Sequence, residues 1–203
     1  GLLLDESMDE TSDIMLINTE EIVRSRFFNP NLLEFTGVID IDLLQGQFQL
    51  HSFYSEIDRR YHWAFVKDDG DIKKVPLVRI ESECLTGHVF GSLLCDCGDQ
   101  LAQGLQQVAE YGRGALVYLR QEGRGIGLAN KLRAYSLQDQ GLDTYDADGH
   151  LGFDADDRSF TEAATMLRSL GVARIALMTN NPHKVDALAR EGIDVVSREP
   201  LTG

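Results

Sequence analysis

Hydrophobic periodicity changes once along this chain, and the change limits the folds open to it. From about Gly37 to Ser82, runs such as "GVIDIDLL", "GQFQLHSFY" and "YHWAFVKDDGDIKKVPLVRIES" are separated by Gly and Asp-Gly turn signals, the pattern of antiparallel strands joined by turns. From Asp96 onward, helical and strand patterns alternate. Leu101, Leu105, Val108 and Ala109 share one helical stripe, "GALVYL" reads as a short buried strand, and Leu128, Leu132 and Tyr135 continue a second stripe. Ser159 and Glu162 have capping-box spacing ahead of a helix carrying Met166, Leu167 and Leu170, and "ARIALMT" is another buried strand. Asn181 before Pro182 starts a last helix, and "IDVV" closes with a strand. These patterns predict a mixed α/β (α+β) fold with a largely antiparallel sheet and flanking helices. At 203 residues, 43% of them hydrophobic, the chain can bury one sizeable core, and no repeat or low-complexity linker divides it, so a single domain is expected.

Charge narrows the partners. The chain carries 19 basic and 33 acidic residues, a formal net charge of −14, which repels long polyanions, so nucleic acid is not an expected partner. A small anionic substrate stays open, because a few Arg and Lys side chains, backbone amides and a divalent cation can make a local positive site. Asp5, Glu6, Asp9, Glu10 and Asp13 all precede the first basic residue, Arg24. Residues 1–34 therefore read as an acidic, mobile N-terminal segment ahead of a domain over residues 35–203. No run of eighteen apolar residues suggests a membrane span, no leader is recognisable, and a cytoplasmic protein is expected.

All three cysteines, Cys84, Cys95 and Cys97, lie in "ECLTGHVFGSLLCDCGDQ". Three thiols cannot all pair within one chain, and two separated only by Asp96 are poorly placed to bridge each other. A Cys-x-Cys pair puts two thiols on one side of an extended segment, and a third from the end of "VPLVRIES" could complete one face of a zinc tetrahedron. Three thiolates leave one position open, as in catalytic zinc sites; a nearby His, such as His88, could instead close the site and make it structural. The alternative is that these thiols are small buried hydrophobes, but "CDCGDQ" is polar and turn-like.

"YLRQEGRGIGLANKLRAYSLQDQG" combines a strand, a glycine-rich turn and a helix start. The match to a dinucleotide fingerprint is weak, since the helix leads to "LDTYDADGHLGF", too polar for a second central strand. The glycines could let backbone amides and the Arg124 guanidinium approach phosphate oxygens, or simply form a tight turn.

The motifs "SECLTG", "CDCGDQL", "RQEGRGIGL", "NKLRAYSLQDQG", "LGFDADDR" and "TNNPHKV" occur in this order between about Pro76 and Leu201. Together they resemble GTP cyclohydrolase II, the family that opens the imidazole ring of GTP at the entry to riboflavin synthesis. The resemblance implies one zinc per chain on Cys84, Cys95 and Cys97, activating water for attack at guanine C8. It implies Arg158 as nucleophile at the α-phosphorus, releasing pyrophosphate, with Asp156 as proton acceptor and Tyr135 beside the ring-opening chemistry. Read from the residues alone, Arg158 is a phosphate clamp or a surface ion pair, because guanidinium is almost always protonated, and Tyr135 is a helix-face core residue. The resemblance places Arg79, Ser82, Glu83, Gln100, Glu122, Gly123, Arg124, Thr144, Thr179 and Lys184 at the substrate, with a carboxylate suited to the donor edge of guanine and Arg124 and Lys184 to the phosphates. Magnesium on the triphosphate and a homodimer are also implied.

Some positions depart from the family's usual pattern. Glu81 stands where that pattern has a histidine, Leu94 where it has an arginine, and Gly149 and His150 also differ. Loss of two potentially cationic groups could weaken GTP binding or change the product. Besides a stand-alone GTP cyclohydrolase II, two readings stay open: a relative feeding a specialised pteridine-like pathway, with the formyl group retained, and an inactive zinc-stabilised nucleotide-binding protein.

Overall fold

Three successive strands, β1 (Leu33–Leu43), β2 (Gly46–Ser55) and β3 (Arg60–Asp68), form an antiparallel meander in the computed structural model, which describes residues 32–138 and 159–201. Most of the acidic segment, Thr144, Gly149, His150, Asp156 and Arg158 lie outside the described residues. After the meander come β4 (Leu77–Ser82), β5 (Arg113–Leu119), β6 (Arg174–Met178) and β7 (Asp194–Glu199). The helices are α1 (Leu85–His88), α2 (Cys97–Tyr111), α3 (Leu128–Gln138), α4 (Thr161–Ser169) and α5 (Pro182–Arg190), with a 3-10 turn at Glu122–Gly125. The described residues fall in one compact unit, residues 31–203.

The seven strands among the described residues make one sheet in the order β1-β2-β3-β5-β4-β6-β7. The pairings from β1 through β3 to β5 are antiparallel; β5–β4, β4–β6 and β6–β7 are parallel. The mixed α/β fold with flanking helices is thus as expected, and the antiparallel character resides in its first half. Helical crossovers require the other half to be parallel: α1 and α2 connect β4 to β5, and α5 connects β6 to β7. β4 does not pair with β3, its predecessor in the chain. It is buried along nearly all its length, as a strand covered on both faces must be, and so takes the interior position.

Residue alternation assigns each face its cover. Val78 and Ile80 of β4 and Val117 and Leu119 of β5 pack with Ala163, Met166 and Leu167 of α4 and Leu188 of α5. Leu77 and Leu116, on the opposite face, pack with Leu105 and Val108 of α2. Gly114 is required where β5 passes β4, because a Cβ there would lie 1.9 Å from the Leu77 carbonyl oxygen.

Two local readings change. α4 starts at Thr161 with Phe160 at its N-cap, while the Ser159 hydroxyl donates to Glu162 at 3.1 Å and accepts from the Thr161 amide at 3.3 Å. On α3, Leu132 is half exposed and Ala134 is buried, so the Leu128/Leu132/Tyr135 stripe is not a core face. Asn181 does cap α5, its side chain accepting from the His183 amide at 2.9 Å with Pro182 behind it.

Candidate active site

The carboxyl ends of β4, β5 and β6 release the chain on one side of the sheet, where α/β sheets place their ligands. Cys84 leaves the end of β4 and is the N-cap of α1; Cys95 follows in the next loop; Cys97 is the first residue of α2. The Cys84 and Cys95 sulfurs are 3.6 Å apart, and all three lie within 4.8 Å of one another. Cys95 and Cys97 therefore converge through a loop and a helix start, not through the extended segment that the sequence suggests.

The donor set fits a soft divalent metal such as zinc, and the backbone at Gly87 packs closely against the three thiols. A Cβ on Gly87 would stand 2.9 Å from Cys97 Cβ, 3.0 Å from Cys95 Sγ and 3.2 Å from Cys84 Sγ. His88 does not close the site. Its Nδ1 faces the Cys84 amide at 3.2 Å and the Tyr118 hydroxyl at 2.8 Å, and no histidine joins the thiols in the potential metal cluster among the described residues. Burial holds its pKa below the usual histidine value.

Electrostatics distinguish the thiols. Burial pushes the Cys84 thiol up, but hydrogen bonds from Lys131, Thr86 and the Gly87 backbone, together with Cys97, outweigh it and bring the pKa to about 7. Cys97 is pushed well up, first by burial and then by the two neighbouring sulfurs. Burial alone would lower Lys131; contact with Cys84 and Glu122 raises it. Its charge is therefore secure at neutral pH.

The thiols open onto a cavity of about 390 Å³ that brings together Arg79, Ser82, Glu83, Gln100, Glu122, Gly123, Tyr135 and Lys184. Arg79 and Glu81 form a buried pair at 2.8 Å, while Arg79 Nη2 also donates to Gln100 Oε1 at 2.8 Å. Gln100 in turn donates to Asp96 at 2.7 Å. Ser82 accepts from Gln121 at 3.1 Å, and Glu83 faces Arg120 at 3.5 Å. The buried Lys184 ammonium donates to the Ile80 carbonyl at 2.9 Å. Both Glu122 oxygens are engaged, one by the Leu85 amide and the other by Lys131 and the Gly123 amide.

Thr179 is buried off the cavity wall, its hydroxyl accepting from the Asn181 amide at 3.0 Å. The backbone of Arg124 belongs to the 3-10 turn; its guanidinium is not among the described side chains. Tyr135 lines the cavity four residues after Lys131, whose ammonium lies 5.7 Å from its ring centre, and burial raises its phenol pKa. Lys131 is the residue that sequence reasoning missed. Its spacing of four from Tyr135 put it on the same helix face and was the available signal.

A second cavity of about 470 Å³ lies at the amino ends of β4, β5 and β6. Two of its cations are already paired, Lys74 with Asp69 at 2.7 Å and Arg174 with Asp194 at 3.3 Å. It contains no thiol.

Residues 37–200 match the family model for GTP cyclohydrolase II. The chain belongs to the GTP cyclohydrolase II family. It is 44% identical over 206 residues to the riboflavin biosynthesis protein RibBA of Chlorobium phaeovibrioides, covering 97% of this chain and 50% of that protein. It is 46% identical over 189 residues to RibBA of Bacillus subtilis, covering 93% and 48%. Against GTP cyclohydrolase-2 of Histophilus somni, identity is 51% over 156 residues, 77% of this chain and 72% of the other. The chain thus spans about half the length of the RibBA proteins it matches. A two-domain 3,4-dihydroxy-2-butanone 4-phosphate synthase, RibBX of A. baumannii, shares the fold with a TM-score of 0.52 at 21% identity, over 90% of this chain and 44% of that one. The family match reaches upstream of Pro76 into β1, beyond the diagnostic motifs.

Proposed function

We propose that this chain is a zinc-dependent GTP cyclohydrolase II, hydrolysing GTP to 2,5-diamino-6-(5-phosphoribosylamino)pyrimidin-4(3H)-one, formate and pyrophosphate for riboflavin biosynthesis. The observation that carries the reading is the convergence of three thiols on a cavity shared with Glu83, Gln100, Tyr135 and Lys184. Cys84, Cys95 and Cys97 would hold the zinc, which would supply the Lewis acidity that makes water nucleophilic near neutral pH. Glu83 offers a carboxylate to the donor edge of guanine; Lys184 and Arg124 offer positive charge to the phosphates, which carry magnesium. Tyr135 orients the ring being opened. Arg158 attacks the α-phosphorus: an N–P bond forms, the bond to the pyrophosphate oxygen breaks, and Asp156 takes the nitrogen's proton; water then cleaves the N–P bond, freeing the phosphoribosyl product and returning the proton to Arg158. Ser82, Gly123 and Thr144 complete the substrate contacts, while Thr179, off the cavity wall, holds the Asn181 turn at the start of α5. The enzyme works in the cytoplasm as a homodimer, and a mass measurement showing only monomer at micromolar concentration would overturn the dimer.

One observation favours a second reading. Arg79 is held by Glu81 and Gln100 inside the wall of the cavity, which leaves less positive charge for a triphosphate and suits a relative with a changed substrate or product. Incubation with GTP, zinc and magnesium, with formate and pyrophosphate assayed separately, decides between them. Both products support ring opening; pyrophosphate alone supports formyl retention; neither supports an inactive zinc-stabilised nucleotide-binding protein. Cys95→Ser is expected to suppress formate while sparing pyrophosphate, and Arg158→Ala to abolish both. Formate release by Arg158→Ala with the triphosphate intact would refute the proposed order of steps.

A further inference from the structure

Lys131 sits in the first turn of α3, its amide bonded to the Gly127 carbonyl at 3.0 Å. Its side chain is 11% exposed and its ammonium makes three bonds: to Cys84 Sγ at 3.0 Å, Thr86 Oγ1 at 3.0 Å and Glu122 Oε1 at 2.8 Å. An ammonium has three protons to donate, and all three are committed, so none is left for a phosphate oxygen. Glu122 is equally confined, since its Oε2 accepts from the Leu85 amide at 2.6 Å and its Oε1 also accepts from the Gly123 amide at 3.0 Å. A continuous path of charge-assisted bonds therefore joins the first thiol to the glycine turn and returns to the start of α1.

Three thiolates carry more negative charge than one divalent cation cancels, and excess charge in a partly buried site is costly unless paired. Lys131 stands where that excess would lie. We propose that Lys131 is the counter-cation of the three-thiol centre and that, braced by Glu122, it holds the Cys84 sulfur in place and registers the centre against the glycine turn. The inference rests on the zinc reading of the thiols. Lys131 is a positioning residue: it acts on the metal through Cys84 and on the turn through Glu122.

Replacing Lys131 by Met keeps the length of the side chain and removes its charge and all three hydrogen bonds. Zinc affinity, measured on the full chain by competition with a chromophoric chelator, is expected to fall about 10–100-fold, the usual effect of losing an outer partner of a metal ligand. Cobalt substitution supplies a second readout. A thiolate stripped of its cationic hydrogen bond donates more readily, so the sulfur-to-cobalt charge-transfer band of Lys131→Met is expected at longer wavelength than in the parent. Lys131→Arg retains the charge and should recover most of the affinity. A folded Lys131→Met with parental zinc affinity and an unmoved cobalt band overturns this inference and leaves the zinc reading standing. A parent chain that takes up neither metal overturns both. If Lys131→Met does not fold, Lys131→Gln carries the same expectation, and parental metal binding by folded Lys131→Gln overturns the proposal equally.

Discussion

Arg79 and Glu81 lie two residues apart on one face of β4 and meet in a buried pair, with side chains 6% and 8% exposed. The guanidinium also reaches Gln100 and, at 3.4 Å, the Met178 carbonyl, yet neither of these supplies a compensating charge. Removing the charge from one side leaves the other buried and unpaired, which typically costs about 3–5 kcal/mol. Glu81→Gln is expected to lower stability by about that amount, seen as a lower urea midpoint at unchanged slope. A midpoint equal to the parent's would mean that neutral acceptors suffice for Arg79. The period of two in "RIES" was enough to put both side chains on one strand face. What the sequence did not disclose was the third partner, since Gln100 comes from α2, 21 residues away. Lys131 escaped notice for the same reason. Its partners, Cys84 and Glu122, are 47 and 9 residues distant, and only their convergence turns an ordinary helix lysine into a paired, partly buried one.

Among the elements, those with a clear hydrophobic period were legible, and those set by close backbone contact were not. β5, β6 and α5 follow their apolar runs and cap signals. α1 is four residues long, too short to show any period, and α2 begins at Cys97 where an extended Cys-x-Cys segment was expected. Both features depend on two glycines in contact: a Cβ on Gly98 would lie 2.9 Å from the Gly87 carbonyl oxygen, and a Cβ on Gly87 would press on all three cysteines. Gly87→Ala must therefore displace the sulfurs by a few tenths of an ångström, and zinc coordination is sensitive to ligand position at that scale. The variant is expected to lose about tenfold or more in zinc affinity, comparable to disturbing an outer partner. Leu93→Ala, at a fully exposed side chain in the same segment, should retain it. Equal retention by both variants would show that the cysteine loop absorbs the methyl group without moving the thiols.

Across the molecule, the thiols clip together pieces that the sheet alone does not fasten: the exit of β4, the loop after α1 and the start of α2. A ligand that binds only the folded chain stabilises it by mass action, by about 2.7 kcal/mol at one hundred times its dissociation constant. For a chain of this size that corresponds to a rise in melting temperature of roughly 5–10 °C. One zinc per chain is expected by elemental analysis, with a loss of that order on treatment with chelator. The pH dependence follows from the thiols. Zinc displaces a proton from each thiol that is protonated beforehand, so binding weakens as pH falls. Cys84, with its pKa near 7, gives up its proton readily at neutral pH, whereas Cys97, pushed up by burial and its sulfur neighbours, keeps its proton until metal displaces it. The zinc-dependent part of the stability should accordingly be present at pH 8, shrink as pH passes below 7 where Cys84 also competes for a proton, and be absent in acid. Melting curves recorded from pH 8 to pH 5, with and without chelator, test this directly. The two sets should converge toward low pH; a gap of constant size would mean that groups other than these thiols hold the metal.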